Sequence, residues 1–168
     1  MPTAAGTLYE VAMRLRPTGN KGPAAVSLES FSRYHAGESW TWEHMALTRA
    51  RVVAGPPELQ AKVREEIRRC LTAQSDPAIL IRDAREMRAK IAQSFSDANP
   101  WDLKYAKGGL VDIEFIVQTL QLVHAPSRPD ILDTNTITGL QKLGAAGFLS
   151  RGDMAVLIEA ARLQHALT

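Results

Sequence analysis

The sequence predicts a mainly α protein: a helical bundle over residues 28–168, preceded by one strand within residues 1–27. Three observations predict it. Residues 9–16 alternate, with Tyr9, Val11, Met13 and Leu15 on one side and Glu10, Ala12, Arg14 and Arg16 on the other, the period of a half-buried strand. From Ser27 onward apolar residues recur at spacings of three and four instead. Helix-start and helix-stop signals then punctuate the chain: Gly55-Pro56-Pro57, Asp76-Pro77, Asn99-Pro100, and Gly144 with Gly147.

Taken in order, the strand ends at Pro17, Gly19 and Gly22, and a second short strand is expected at 24–27. Ser27 or Ser30 is positioned to cap a helix through Phe31 and Tyr34. Ser39 precedes Trp40, Glu43, Leu47 and Arg51, which predicts a helix ending near Gly55-Pro56-Pro57. Leu59, Val63, Ile67 and Leu71 mark the next amphipathic helix. Asp76 is an N-cap with proline at the first helical position, opening a helix through Leu80, Ala84, Met87 and Ile91 to about Phe95. From Gly109, Ile113, Ile116, Val117, Leu120 and Val123 predict a strongly apolar helix. Asp133 or Thr134 begins another, closed by Gly144 and Gly147, and Ser150 caps the last, through Met154, Leu157, Ile158 and Ala161.

Composition narrows the function. The 168 residues suffice for a real core, and 45% hydrophobic content is ordinary. A net charge of +2 is too weak to argue for nucleic acid. No apolar run reaches the ~20 residues of a membrane span, and no signal segment is expected. The single Cys70 excludes an internal disulfide and fits a reducing cytoplasm. Lacking a histidine near it in sequence, it reads as a core or boundary residue. Lys62, Arg64, Glu65, Glu66, Arg68 and Arg69 alternate in sign and read as a solvated helix face.

Candidate functional residues fall in three places. Ala12 is a bare methyl group on the polar strand face between Glu10 and Arg14, a place where a functional side chain is missing. Arg14 and Arg16 share that face; two readings stand, phosphate binding by bidentate contacts or pairing with Glu10 and helix carboxylates. Lys21 in the following loop is a weaker nucleotide-binding candidate. The run Trp40–Arg51 holds Trp42, Glu43, Arg49 and Arg51, either as a wall of a site or as a hinge between domains. Asp112 and Glu114 spell a metal pair only on a strand. The apolar spacing downstream is helical, and residues two apart on a helix do not face each other. No metal site is therefore expected from them, nor from the four histidines, whose spacing matches no ligand set.

Three blocks together resemble glutamine synthetase adenylyltransferase, the glutamate-ammonia-ligase adenylyltransferase family: Tyr9 to Pro17, Trp40-Thr41-Trp42-Glu43-His44 to Arg51, and Gly108-Gly109-Leu110-Val111-Asp112-Ile113-Glu114-Phe115. The second block looks more like the C-terminal, adenylylating half of that two-part enzyme. The resemblance implies transfer of AMP from ATP to a tyrosine of glutamine synthetase, with Mg2+, under glutamine and the PII signal protein. It implies that residues 1–27 are the remnant of a nucleotidyltransferase sheet whose main part lies upstream, and residues 28–168 the helical domain behind it. The family places its third metal-binding aspartate where Ala12 stands, and its Gly-Ser and Asp-x-Asp motifs do not occur in this sequence. The chain alone is expected to be inactive and to bind neither Mg2+ nor ATP tightly. Its expected partners are glutamine synthetase, PII and the remainder of the adenylyltransferase, with no nucleic acid and no membrane. The alternative is a non-catalytic helical module that binds glutamine synthetase or PII.

Overall fold

The computed structural model describes residues 23, 25–73, 75–95 and 102–167. These form seven α-helices and one 3-10 turn, and no strand occurs among them. The expected strand at 9–16 lies outside the described residues; residues 25–27, expected as part of a second strand, are irregular backbone. The helices are α1 (Leu28–Gly37), α2 (Thr41–Leu47), α3 (Pro57–Leu71), α4 (Pro77–Ser94), α5 (Leu110–His124), α6 (Thr136–Ala145) and α7 (Arg151–Leu167), with the 3-10 turn at Pro129–Ile131. The chain divides into two units, Met1–Ser39 and Trp40–Thr168.

In the first unit, α1 is capped by Ser27, whose hydroxyl oxygen accepts from the Ser30 N–H at 3.2 Å. An exposed Glu29–Arg33 pair and a Phe31–His35 ring contact decorate it, and none of its residues is buried.

In the second unit, α5 is the shared element. One of its faces, Ile113 and Val117, meets Leu140 and Leu143 of α6, Ile158 and Ala161 of α7, and Ile131. Its opposite face, with Leu122 and Phe115, meets Met45 of α2, Leu71 of α3, and Leu80 and Ala84 of α4. Covering a helix on two sides demands apolar residues nearly all round, which explains the run Leu-Val-Asp-Ile-Glu-Phe-Ile-Val. Ile116 is a correction to the sequence reading: it is 39% exposed. Three residues beyond Ile113 it lies about 300° round the helix, in the narrow sector that neither layer covers.

Local chemistry sets the ends. Asp76 Oδ1 accepts from the Ala78 N–H at 2.8 Å, and Pro77 opens α4. Ser150 Oγ accepts from the Asp153 N–H at 3.0 Å and donates to its carboxylate at 2.6 Å. The cap of α6 is Asn135, one or two residues later than expected; its Oδ1 accepts from Ile137 and Thr138. That helix closes at Gly147, at φ +82, with the Phe148 N–H reaching back to the Leu143 carbonyl. Gly144 does not end it. It lies within the helix under Met154, whose sulfur sits where a Cβ would be.

Helix α2 departs most from expectation: it stops at Leu47, well short of Gly55. The Thr48 hydroxyl donates to the Met45 carbonyl at 2.7 Å, and the N–H groups of Arg49 and Ala50 bond three residues back rather than four. The turn tightens and the chain then leaves the helix. Its start is Trp40 rather than Ser39. No helix among the described residues is long and apolar enough to cross a membrane.

Candidate functional site

The run Trp40–Arg51 splits its functional residues among different jobs. The Glu43 carboxylate reaches back to accept from the Trp40 N–H at 2.9 Å, so it caps α2. Thr41 donates to Asp83 on α4 at 2.7 Å; that hydroxyl and then Arg82 hold the Asp83 carboxyl below its ordinary range. Trp42 is half-buried. Arg49 turns toward α5 and pairs with Glu114. Arg51, two residues on, lines a groove.

Asp112, the other acidic residue of the Gly108–Phe115 block, faces a different neighbour. Its Oδ1 pairs with Arg88 of α4, and its Oδ2 accepts from the Gly108 N–H at 2.6 Å. Arg88 also donates to the Tyr105 carbonyl at 3.0 Å. Asp112 and Glu114 thus diverge onto two arginines, Arg88 on α4 and Arg49 just past the end of α2, as the helical spacing predicts. Gly108 takes φ +79, a conformation that favours glycine. A Cβ on Gly109 would lie 2.7 Å from the Ala106 carbonyl oxygen and 2.8 Å from that of Leu103. The Gly-Gly pair therefore serves a tight entry into α5 rather than a phosphate loop.

The groove holds about 570 Å³. Its first side is the chain leaving α2, with Leu47, Thr48 and Arg51. Its second is one stripe of α3, Arg64, Ile67, Arg68 and Leu71, at the i, i+3, i+4, i+7 spacing of a single helix face. Its third is Pro129 to Thr134. A buried glutamine fixes that third side: Gln121, 1% exposed, accepts from the Asp133 N–H at 3.1 Å. Gly139 leaves room for it, since a Cβ there would lie 2.9 Å from the Gln121 amide nitrogen. Although burial raises the Asp133 carboxyl, the Asn135 N–H and Lys142, 2.9 Å away, more than offset this and keep it below its ordinary range.

Cys70 lies one residue before the groove-lining Leu71. Burial, and then the Glu66 carboxylate, push its thiol up to about 11, so it stays protonated and unreactive at neutral pH. The candidates Ala12, Arg14, Arg16 and Lys21 lie outside the described residues. Of the others, Arg51 reaches the groove, while Glu43 serves a cap and Arg49 a pair with Glu114 of α5. Sequence reasoning placed Arg64 and Arg68 on a solvated face, and both are exposed. Their shared stripe with Ile67 and Leu71 was the signal that they also border a concavity.

Comparison with known proteins follows the same blocks. The glutamate-ammonia ligase adenylyltransferase family model matches residues 1–66, and the GlnD PII-uridylyltransferase model matches residues 58–167. Bifunctional glutamine synthetase adenylyltransferase/adenylyl-removing enzymes of Rhodopseudomonas palustris and Bradyrhizobium diazoefficiens are each 52% identical to the chain over 163 residues, 97% of this chain and 16% of the relative. That of Xanthobacter autotrophicus is 48% identical over 166 residues, 99% of this chain and 17% of the relative. The chain spans about a sixth of the length of these curated relatives.

Proposed function

The chain belongs to the glutamine synthetase adenylyltransferase family, and from that premise we propose that it is a scaffolding segment of such an enzyme, linking the end of a nucleotidyltransferase domain to the helical domain behind it. The observation that carries this is 52% identity over 97% of the chain to relatives that bear both adenylylating and adenylyl-removing activities in their names. The match to the adenylylating half rests on the Trp-Thr-Trp-Glu-His block.

In this reading the whole enzyme moves AMP from Mg2+-bound ATP to a tyrosine of glutamine synthetase, in the cytoplasm, under the PII signal protein. Carboxylates elsewhere in the enzyme hold the magnesium ions that neutralise the charge of nucleotidyl transfer. Arg14, Arg16 and Lys21 are this segment's candidates for contacting the nucleotide. Asp112 and Glu114 are kept for structure by their arginines. A second reading, a non-catalytic module that binds glutamine synthetase or PII, is favoured by Ala12, at the position where the resemblance implies a metal-binding aspartate.

Labelled AMP decides between them. The chain alone, mixed with unmodified glutamine synthetase, PII, glutamine and Mg-ATP, should leave the synthetase unlabelled; label would overturn the scaffolding role. Grafted into a relative's enzyme in place of the matching segment, the chain carrying Ala12→Asp should support transfer. The unaltered chain should be slower by at least roughly a hundredfold, the scale of losing a metal ligand. Equal rates would remove the significance given to Ala12, and failure of both grafts would favour the non-catalytic module.

A further inference from the structure

The groove between α3 and the 129–134 segment combines an apolar floor with guanidinium groups that lack carboxylate partners among the described residues. Ile67, Leu71 and Leu132 supply the floor. Arg51 makes no ion pair among the described residues. The polar partner of Arg64 among them is the neutral Gln60 amide oxygen, at 2.6 Å. Arg68 is held two-pronged by Glu65, at 2.7 and 3.0 Å. The acid on the opposite wall, Asp133, is already neutralised by Lys142. Among the described residues the rim therefore carries two uncompensated cations, Arg51 and Arg64, one from the chain leaving α2 and one from α3.

We propose that this groove is a binding site for a small amphipathic anion: one phosphate or carboxylate head held between Arg51 and Arg64, and a compact apolar or planar body on Ile67, Leu71 and Leu132. Its volume of about 570 Å³ falls in the range of small-molecule sites. Guanidinium groups suit such a head because each offers planar, two-pronged donation to an oxyanion. Glu65, 64% exposed and paired with the groove-lining Arg68, disfavours a polyanion that extended along α3 beyond the groove. This inference stands on the groove itself and is independent of the role proposed for the chain in AMP transfer.

Four probes separate head from body when titrated calorimetrically into the 168-residue chain: 1-naphthyl phosphate, 1-naphthoate, neutral 1-naphthol and inorganic phosphate. The two naphthyl anions should bind measurably, and their order tells whether phosphate or carboxylate is the preferred head. Naphthol and inorganic phosphate should each be weaker by about tenfold or more, the scale of one lost charge-assisted contact. The double variant Arg51→Ala/Arg64→Ala should lose naphthyl-anion binding by a similar factor with an unchanged melting temperature, both residues being exposed. Arg82→Ala, an exposed arginine on α4, should bind like the parent. No binding by either naphthyl anion, equal binding of inorganic phosphate, or full binding by the double variant would each overturn the proposal.

Discussion

Arg88 on α4 and Asp112 on α5 form one ion pair that also closes the entry to α5, because each partner holds backbone as well. Arg88 takes the Tyr105 carbonyl and Asp112 takes the Gly108 N–H. Both side chains are largely shielded, at 17% and 25% exposed. Asp112→Ala leaves a mostly buried guanidinium without its anion and a backbone N–H without its acceptor. We expect a loss of about 2–3 kcal/mol in urea unfolding. A double-mutant cycle with Arg88→Met should recover much of it; strict additivity would show that the pair is not coupled.

Gly109→Ala should cost about 3 kcal/mol. Its Cβ meets two backbone carbonyls, and backbone gives way less readily than a side-chain tip. Gly144→Ala makes a useful contrast. The atom in its way is the sulfur of Met154, which swings aside more cheaply. If the two substitutions cost the same, the entry to α5 is looser than its hydrogen bonds imply.

A paired substitution on α5 separates its faces. Ile113→Asp places a charge in a site 2% exposed and should abolish cooperative unfolding. Ile116→Asp, on the open sector, should change stability by about 1 kcal/mol or less. A loss of structure in Ile116→Asp, seen by circular dichroism, would mean that another surface covers this sector.

His124 makes stability depend on pH. Its ring stacks on Phe148 at 3.8 Å, and burial lowers its pKa below the usual 6.5. The folded chain then binds this proton less readily than the unfolded one. Stability rises with pH through the window between the two values, and is lost as pH falls below the ordinary histidine pKa. His124→Phe keeps a ring against Phe148 and removes the proton. It should flatten the stability profile between about pH 5 and 7 relative to the parent. An unchanged slope would assign the dependence to another group.

What the sequence made legible was local. Ser27, Asp76 and Ser150 each cap the helix expected of them, because a cap is settled within three residues. The end of α2 was not legible, since two causes lie outside its pattern: the Thr48 hydroxyl turned onto its own backbone, and Glu114 drawing Arg49 from 65 residues away. The exposure of Ile116 was hidden for a related reason. Apolar spacing shows that a helix is buried but not how many neighbours share it. The groove needed Pro129–Thr134 to approach a helix some 60 residues earlier, and no periodicity in α3 reports that.

The join between Arg88 and Asp112 also bears on how this family can vary. The two residues lie 24 positions apart, and among the described residues the polar contacts that join the entry of α5 to α4 sit at the two ends of that interval, in α4 itself and from Asp102 onward. The Asp102 carboxylate collects the Lys104 and Tyr105 N–H groups, and Tyr105 stacks on Phe95 at 3.8 Å. The spacing from Asp102 to Asp112 should therefore stay constant to the residue among relatives.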